Sequence, residues 1–398
     1  MSFDTWVDLT VESALVGSTS DFSELVSHLP GIYPLDVLRS LRSIAARGRR
    51  LVSKSRDLIE SASQAPQIVT LPSMELGLPV PHPLDFEWRF ASESINSILE
   101  RCARMTPPTG TLALVGTPTV AASLRTTLSR RTEYFGIDAD MLVSRGLLSH
   151  FSATHKVDLL REPQVTRSYA TILMDPPWYP DYITRFIYFA ARALAPNGHL
   201  LLAMAPRGTR PGIAEETRDT ERWLEQNGFE ILDILASSVA YETPPFERNS
   251  LRASGISNVG NAWRRGDLWI LQKQGVGSAS WPGDVVTNLW REFAFGPVRV
   301  RVDVGRRDSG SNASLRTIVE GDVLSTVSRR DPRRASASVW TSGNRVYGCE
   351  SPLAFASILE AWSQSPRDMN VTDADRDDRN SFFAIVERER AELGWAGR

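Results

Sequence analysis

The stretch from Tyr169 to Trp178 (Tyr-Ala-Thr-Ile-Leu-Met-Asp-Pro-Pro-Trp) constrains the fold of this chain more than any other. An apolar, β-prone run ends there in a carboxylate, two prolines and an indole. Pro176 and Pro177 have no amide hydrogen to give a sheet ladder, so the strand stops at Asp175 and delivers its carboxylate to the sheet's carboxyl edge. Open α/β sheets bind ligands at that edge.

Strand and helix patterns alternate around this run. A helix over Ser92 to Met105 leads through Pro107-Pro108-Thr109-Gly110 into the apolar Thr111 to Val115, then Gly116-Thr117-Pro118-Thr119 and a helical Val120 to Leu128. This strand-turn-helix unit is a weak glycine motif, since only Gly116 remains and Pro118 stands where a second glycine would help. Glu133 to Ile137 reads as a second strand ending in Asp138, about twenty residues on, where a carboxylate can accept from ribose hydroxyls, with Asp140 as the near competitor. A third ends near Asp158. After the Asp175 strand come a helix over Tyr182 to Leu194, a strand over His199 to Ala205, a helix over Glu215 to Gln226, and strands at Phe229 to Leu235 and Asp267 to Leu271. The fold class is α/β with a doubly wound sheet.

A length of 398 residues implies more than one core. The expected division is a helical segment over 1–65, a linker or arm with five prolines over 66–84, the α/β domain over 85–275 and an α+β accessory domain over 281–398. In the first of these, Phe22 to Leu29 and Leu35 to Ile44 flank Pro30-Gly31-Ile32-Tyr33-Pro34. They form either half of a helix-turn-helix, with Arg42, Arg47, Arg49, Arg50, Lys54 and Arg56 on phosphate, or a helical cap or dimerisation arm. In the last, Val298 to Val304 alternates strictly, Leu315 to Val327 is strand-like, Ser342-Gly343-Asn344 is a turn between strands, Leu353 to Trp362 is helical and Asp373 to Arg379 is a charged, mobile tail. The Arg329-Arg330-Asp331-Pro332-Arg333-Arg334 loop suits target recognition or assembly with a protein partner or second copy.

No apolar run reaches the roughly 18 residues of a membrane span, and the start carries no secretory pattern, so a cytoplasmic protein is expected. Cys102 and Cys349 stand apart from each other and from any Cys/His cluster, so neither a disulfide nor a metal site is expected. A net charge of −2 gives no global attraction to nucleic acid.

From about Asp85 to Gln274 the chain resembles the class I, Rossmann-like S-adenosylmethionine-dependent methyltransferases. The Pro196-Asn197-Gly198-His199-Leu200-Leu201-Leu202 strand entry and the Trp223 to Phe229 helix exit look like the later part of that fold. Asp175-Pro176-Pro177-Trp178 looks like the signature of amino-group methyltransferases, especially those acting on the exocyclic amine of adenine, and here it follows the glycine turn. The outline is also similar to the branched-chain polyamine synthases. The resemblance implies S-adenosyl-L-methionine as cofactor, held by Gly116, Thr117, Asp138 and Asp158, and an amine oriented by Asp175 and the Pro176 carbonyl, with Pro177 stiffening the turn and Trp178 stacking. No metal is required. Tyr179, Phe246, Arg248 and Trp263 are substrate-binding candidates, the last three on a long Tyr241 to Gly266 segment expected to be a lid or an insertion over the sheet edge. The leading expectation is methyl transfer to adenine N6 in nucleic acid. The alternatives are aminopropyl transfer making branched polyamines and an inactive module used for assembly or ligand sensing.

Overall fold

The structure, a computed structural model, describes residues 1–17, 19–47, 51–64, 71–275, 277, 280–310, 312–364 and 373–394. Arg49, Arg50, Pro66 and part of the Gly275 to Ser278 linker lie outside the described residues.

Four amphipathic helices open the chain: α1 (Phe3–Leu15), α2 (Phe22–His28), α3 (Pro34–Ala46) and α4 (Val52–Ala62). Their apolar faces close a core that also takes Leu251, Ile256, Val259 and Trp263 from the α/β region. The helices pack on the α/β region as a cap. Arg47 pairs with Asp8 and Glu12, and the Lys54 ammonium donates to the carbonyls of Leu15 and Gly17, so these cations serve the bundle.

A short α5 (Pro72–Glu75) follows. The stretch up to Trp88, expected as a linker or an arm, is packed on the protein, with Leu71, Leu78, Val80 and His82 buried. Its prolines prevent regular pairing while its apolar side chains still find a core, which gives a strap packed on the protein.

The α/β region runs α6 (Ser92–Met105), β1 (Leu112–Val115), α7 (Pro118–Ser123), β2 (Thr132–Gly136), α8 (Ala139–Ser144), β3 (Ala153–Lys156), β4 (Tyr169–Met174), α9 (Pro180–Ala193), β5 (Leu194–Met204), α10 (Ile213–Gln226), β6 (Phe229–Tyr241), α11 (Pro245–Ala253) and β7 (Arg264–Lys273). The strand order is β3-β2-β1-β4-β5-β7-β6, parallel from β3 to β5, with β7 antiparallel to both neighbours. Separate apolar cores cover the two faces, which is why β1 and β4 are apolar along their length rather than alternating. This is a doubly wound, Rossmann-like α/β sheet with one antiparallel strand inserted at β7. The helix expected to run to Leu128 stops at Ser123, followed by a 3-10 turn at Thr127–Arg131. The Tyr241 to Gly266 segment, expected to be a lid or an insertion over the sheet edge, folds as α11 and a packed return into β7, which begins at Arg264.

A second sheet joins β8 (Trp290–Phe295), β9 (Val298–Asp303), β10 (Arg316–Thr317), β11 (Val339–Thr341) and β12 (Val346–Gly348) in the order β10-β12-β11-β9-β8, with α12 (Pro352–Gln364) and α13 (Asp373–Glu392) on its core. Within the expected strand over Leu315 to Val327 only β10 and an isolated Val323 bridge form, and the charged tail starts α13. No helix among the described residues is long and apolar enough to cross a membrane.

Candidate active site

β4 is buried over nearly its whole length and parallel to β1, so Asp175 emerges beside the turn that ends β1. Gly116 in that turn has φ +64°, and a Cβ on it would sit 3.5 Å from the Asp175 carbonyl oxygen. A glycine is needed for the left-handed conformation, and it brings the two strand ends together. Around them opens a cavity of about 1310 Å³, walled by the sheet edge, the strap, the N-terminal cap (Tyr33, Asp36) and the C-terminal sheet (Trp290, Glu292, Arg299, Arg301).

The Asp175 carboxylate accepts a hydrogen bond from the Tyr241 hydroxyl at 2.8 Å, across the sheet from the end of β6. Burial pushes its carboxyl well above the usual carboxylate range; Tyr241 and Arg264 oppose that rise and Glu87 adds to it. Pro176, Pro177 and Trp178 also line the cavity. Trp178 packs edge-on to Tyr241 at 5.4 Å and closely over Gly266, where a Cβ would come within 3.0 Å of the indole. The face expected to stack on a planar base meets the Arg264 guanidinium at 4.7 Å, and that guanidinium lies 3.9 Å from the Trp88 ring on the strap.

On the β1–β2 side, the Asp138 carboxylate accepts from the buried Tyr134 hydroxyl at 2.9 Å. Burial and then Glu87 push it up to about 7, against the pull of that hydrogen bond. Glu87 therefore acts on both Asp138 and Asp175, making the middle of the cavity acidic, although it is held by Arg89 at 2.8 Å. Asp158 is exposed at the rim, where its carboxylate accepts from the Leu160 amide at 3.0 Å.

Gly116, Asp138, Asp158, Tyr179 and Phe246 thus meet Asp175-Pro176-Pro177-Trp178 at one cavity. Three candidates do not. Thr117 is 1% exposed and turned into the protein, its hydroxyl without a hydrogen-bond partner. Trp263 is 2% exposed, packed edge-on to Tyr33 and Trp88. Arg248 donates to the Thr243 carbonyl and, at 2.7 Å, to Asn261. The surface of interleaved aromatics and arginines expected over Tyr241 to Gly266 is therefore folded inward.

Sequence reasoning missed Glu87, Tyr241 and Arg264. Each sits at an element boundary: Glu87 on the strap, Tyr241 ending β6, and Arg264 opening β7 inside what reads as a loop. Glu247 of α11, wholly buried, lies behind Arg264. Burial, only partly offset by Arg264 and the Tyr33 hydroxyl, pushes it up to about 7, and neither carboxylate oxygen has a well-formed hydrogen bond. The basic Arg329 to Arg334 loop closes over the box: the Arg329 amide donates to the Tyr179 hydroxyl at 3.0 Å, and Arg329 pairs with Asp181 at 2.7 Å. Among the described residues no His, Cys, Asp or Glu cluster is set to hold a metal ion.

No protein-family model matches the chain, and no curated protein matches it. Among solved structures, the branched-chain polyamine synthase from Thermus thermophilus in complex with N4-aminopropylspermidine and 5'-methylthioadenosine aligns with a TM-score of 0.50 at 15% identity, over 70% of this chain and 91% of that one. A mutein of that enzyme in the same complex aligns with a TM-score of 0.53 at 16% identity, over 69% and 89%. At such identities the likeness is one of fold. It extends well beyond the α/β sheet.

Proposed function

We propose that the cavity transfers an alkyl group from an S-adenosyl sulfonium cofactor to the amine nitrogen of a small acceptor. The observation that carries this reading is the Asp175 carboxylate, set at the end of β4 against the Gly116 turn and tied to Tyr241. The residues present fit such a cofactor: Gly116 leaves room at the turn, and Asp138, with one oxygen engaged by Tyr134, keeps lone pairs for ribose hydroxyls. A bound sulfonium supplies an electrophilic alkyl carbon and leaves as a neutral thioether. Asp175 takes a proton from the incoming ammonium, freeing the nitrogen lone pair that forms the new C–N bond as the C–S bond breaks and its electron pair stays on sulfur. A carboxylate whose affinity for protons is raised by burial suits that task better than an exposed one.

The acceptor is better read as a small cationic amine than as adenine in nucleic acid. Glu87, Asp138 and Asp175 favour positive charge, and Trp263 and Arg248 are unavailable to a nucleic acid. Aminopropyl transfer to a polyamine is supported by the same acids and by the shared fold of the polyamine synthases. A labelled-alkyl screen with S-adenosylmethionine and its decarboxylated form, over amines, nucleotides, DNA and RNA, tests the proposal. Transfer to amines alone upholds it, and transfer to adenine alone restores the nucleic-acid reading.

A further inference from the structure

Arg264 is the feature of the cavity that cation chemistry does not explain. Its guanidinium carbon lies 3.9 Å from the centre of the Trp88 ring and 4.7 Å from that of Trp178, with no hydrogen bond or close ion pair among the described residues. A guanidinium flanked by indoles keeps its faces occupied and its N–H edge free, the geometry that reads a planar anion bidentately. The other cavity arginines are engaged elsewhere. Arg210 is bound to Glu216 and the Trp178 carbonyl, Arg299 and Arg301 to Asp85 and Glu292, and Arg145 to the Gly77 carbonyl. One open fork of single charge, with Glu247 behind it and Asp175 near it, matches a carboxylate; a phosphate dianion would bring a second negative charge against those acids.

The topology says whose carboxylate it is. The cofactor's seat, at Gly116 and Asp138, lies at the ends of β1 and β2. Arg264 opens β7, on the other side of β4, paired with Tyr241 of β6. We infer that Arg264 binds the carboxylate of the acceptor, so that the amine delivered to Asp175 belongs to a small amino acid. Asp175 takes the ammonium end, Arg264 the carboxylate end, and Trp178 sets their separation.

The inference rests on the proposed transfer reaction and is separable from it by calorimetry on the full chain. 5'-Methylthioadenosine is titrated first, into the wild type, Arg264→Gln and Arg264→Lys. With that nucleoside saturating, two pairs follow, each an amino acid and its decarboxylated counterpart: ornithine against putrescine, and 2,4-diaminobutyrate against 1,3-diaminopropane. The expected result is nucleoside affinity within about two-fold in all three proteins, which also shows that the variants fold. At least one amino acid should bind the wild type about ten-fold or more tighter than its counterpart, a preference lost in Arg264→Gln and partly kept in Arg264→Lys. Equal binding within both pairs, or a preference that survives Arg264→Gln, overturns the inference and leaves the transfer reading standing. If Arg264→Gln instead abolishes a preference for S-adenosylmethionine over its decarboxylated form, the carboxylate is the cofactor's and the acceptor assignment is wrong. Absence of nucleoside binding to the wild type removes both.

Discussion

The Tyr241 hydroxyl donates to Asp175 at 2.8 Å, joining the last residue of β6 to the residue that follows β4 across β5 and β7. Tyr241 is itself buried, and its hydroxyl is pushed well above the usual phenol range by burial and by Asp175, so it stays a donor at all working pH values. Tyr241→Phe removes a stabiliser of the ionised carboxylate. The acid limb of the rate profile should therefore move to higher pH, with the rate at neutral pH falling about ten- to one-hundred-fold, in line with a lost hydrogen bond to a charged group. A labelled-transfer assay across pH reads it; an unmoved acid limb would mean Asp175 is not the titrating base.

The strap is fastened to the second sheet through Asp85, which accepts from Arg299 at 2.9 Å and from Arg301. Burial alone would raise the Asp85 carboxyl, but the two guanidinium groups hold it well below the usual range. Asp85→Ala leaves two partly buried arginines with Glu292 as their one carboxylate partner among the described residues and should cost about 3–5 kcal/mol in denaturant unfolding. Because the native carboxyl is depressed, its contribution is complete above the ordinary Asp range and is lost only as pH falls below it.

Glu247 acts in the opposite sense. With its native value raised from 4.5 to about 7, the folded state binds more protons than the unfolded one between those limits. Stability therefore falls as pH rises through that window, by up to about 3 kcal/mol, and the cost is complete above it. Glu247→Gln should flatten that slope and raise the melting temperature at about pH 8 while changing little at about pH 4. Asp138 and Glu389, both pushed up to about 7, keep a residual slope of the same sign.

Asp138→Ala tests the seat of the nucleoside. On the proposed function Asp138 accepts from ribose hydroxyls, and its loss should weaken 5'-methylthioadenosine binding by about ten- to one-hundred-fold in calorimetry. Asp158→Ala, at an exposed rim position, should change it less than about three-fold.

The sheet was legible because β1, β4 and the Leu200 to Met204 half of β5 are buried and largely apolar, and because Pro176 and Pro177 fix where β4 ends. Asp138 and Asp175 followed from strand ends alone. The strap was not legible: Pro72, Pro79, Pro81 and Pro83 give no periodicity, and the burial of Leu78 and Val80 depends on surfaces far away in sequence. Arg264 and Trp263 are adjacent residues with opposite fates, one lining the cavity and one in the cap's core. The alternation that separates them begins only where β7 pairs with β6, two strands from the box. Thr117 was expected at the cofactor because of its place after Gly116, but the turn directs it inward.

On the proposed function, Asp175 serves amine chemistry in a cavity that also holds an S-adenosyl group. The most direct measurement sets Asp175→Ala beside the wild type, with 5'-methylthioadenosine affinity by calorimetry and labelled-alkyl transfer to the acceptor the screen identifies. The expected result is binding within about three-fold of the wild type and transfer reduced at least about one-thousand-fold. Full transfer by Asp175→Ala, or no nucleoside binding to the wild type at about 1 mM, would contradict it.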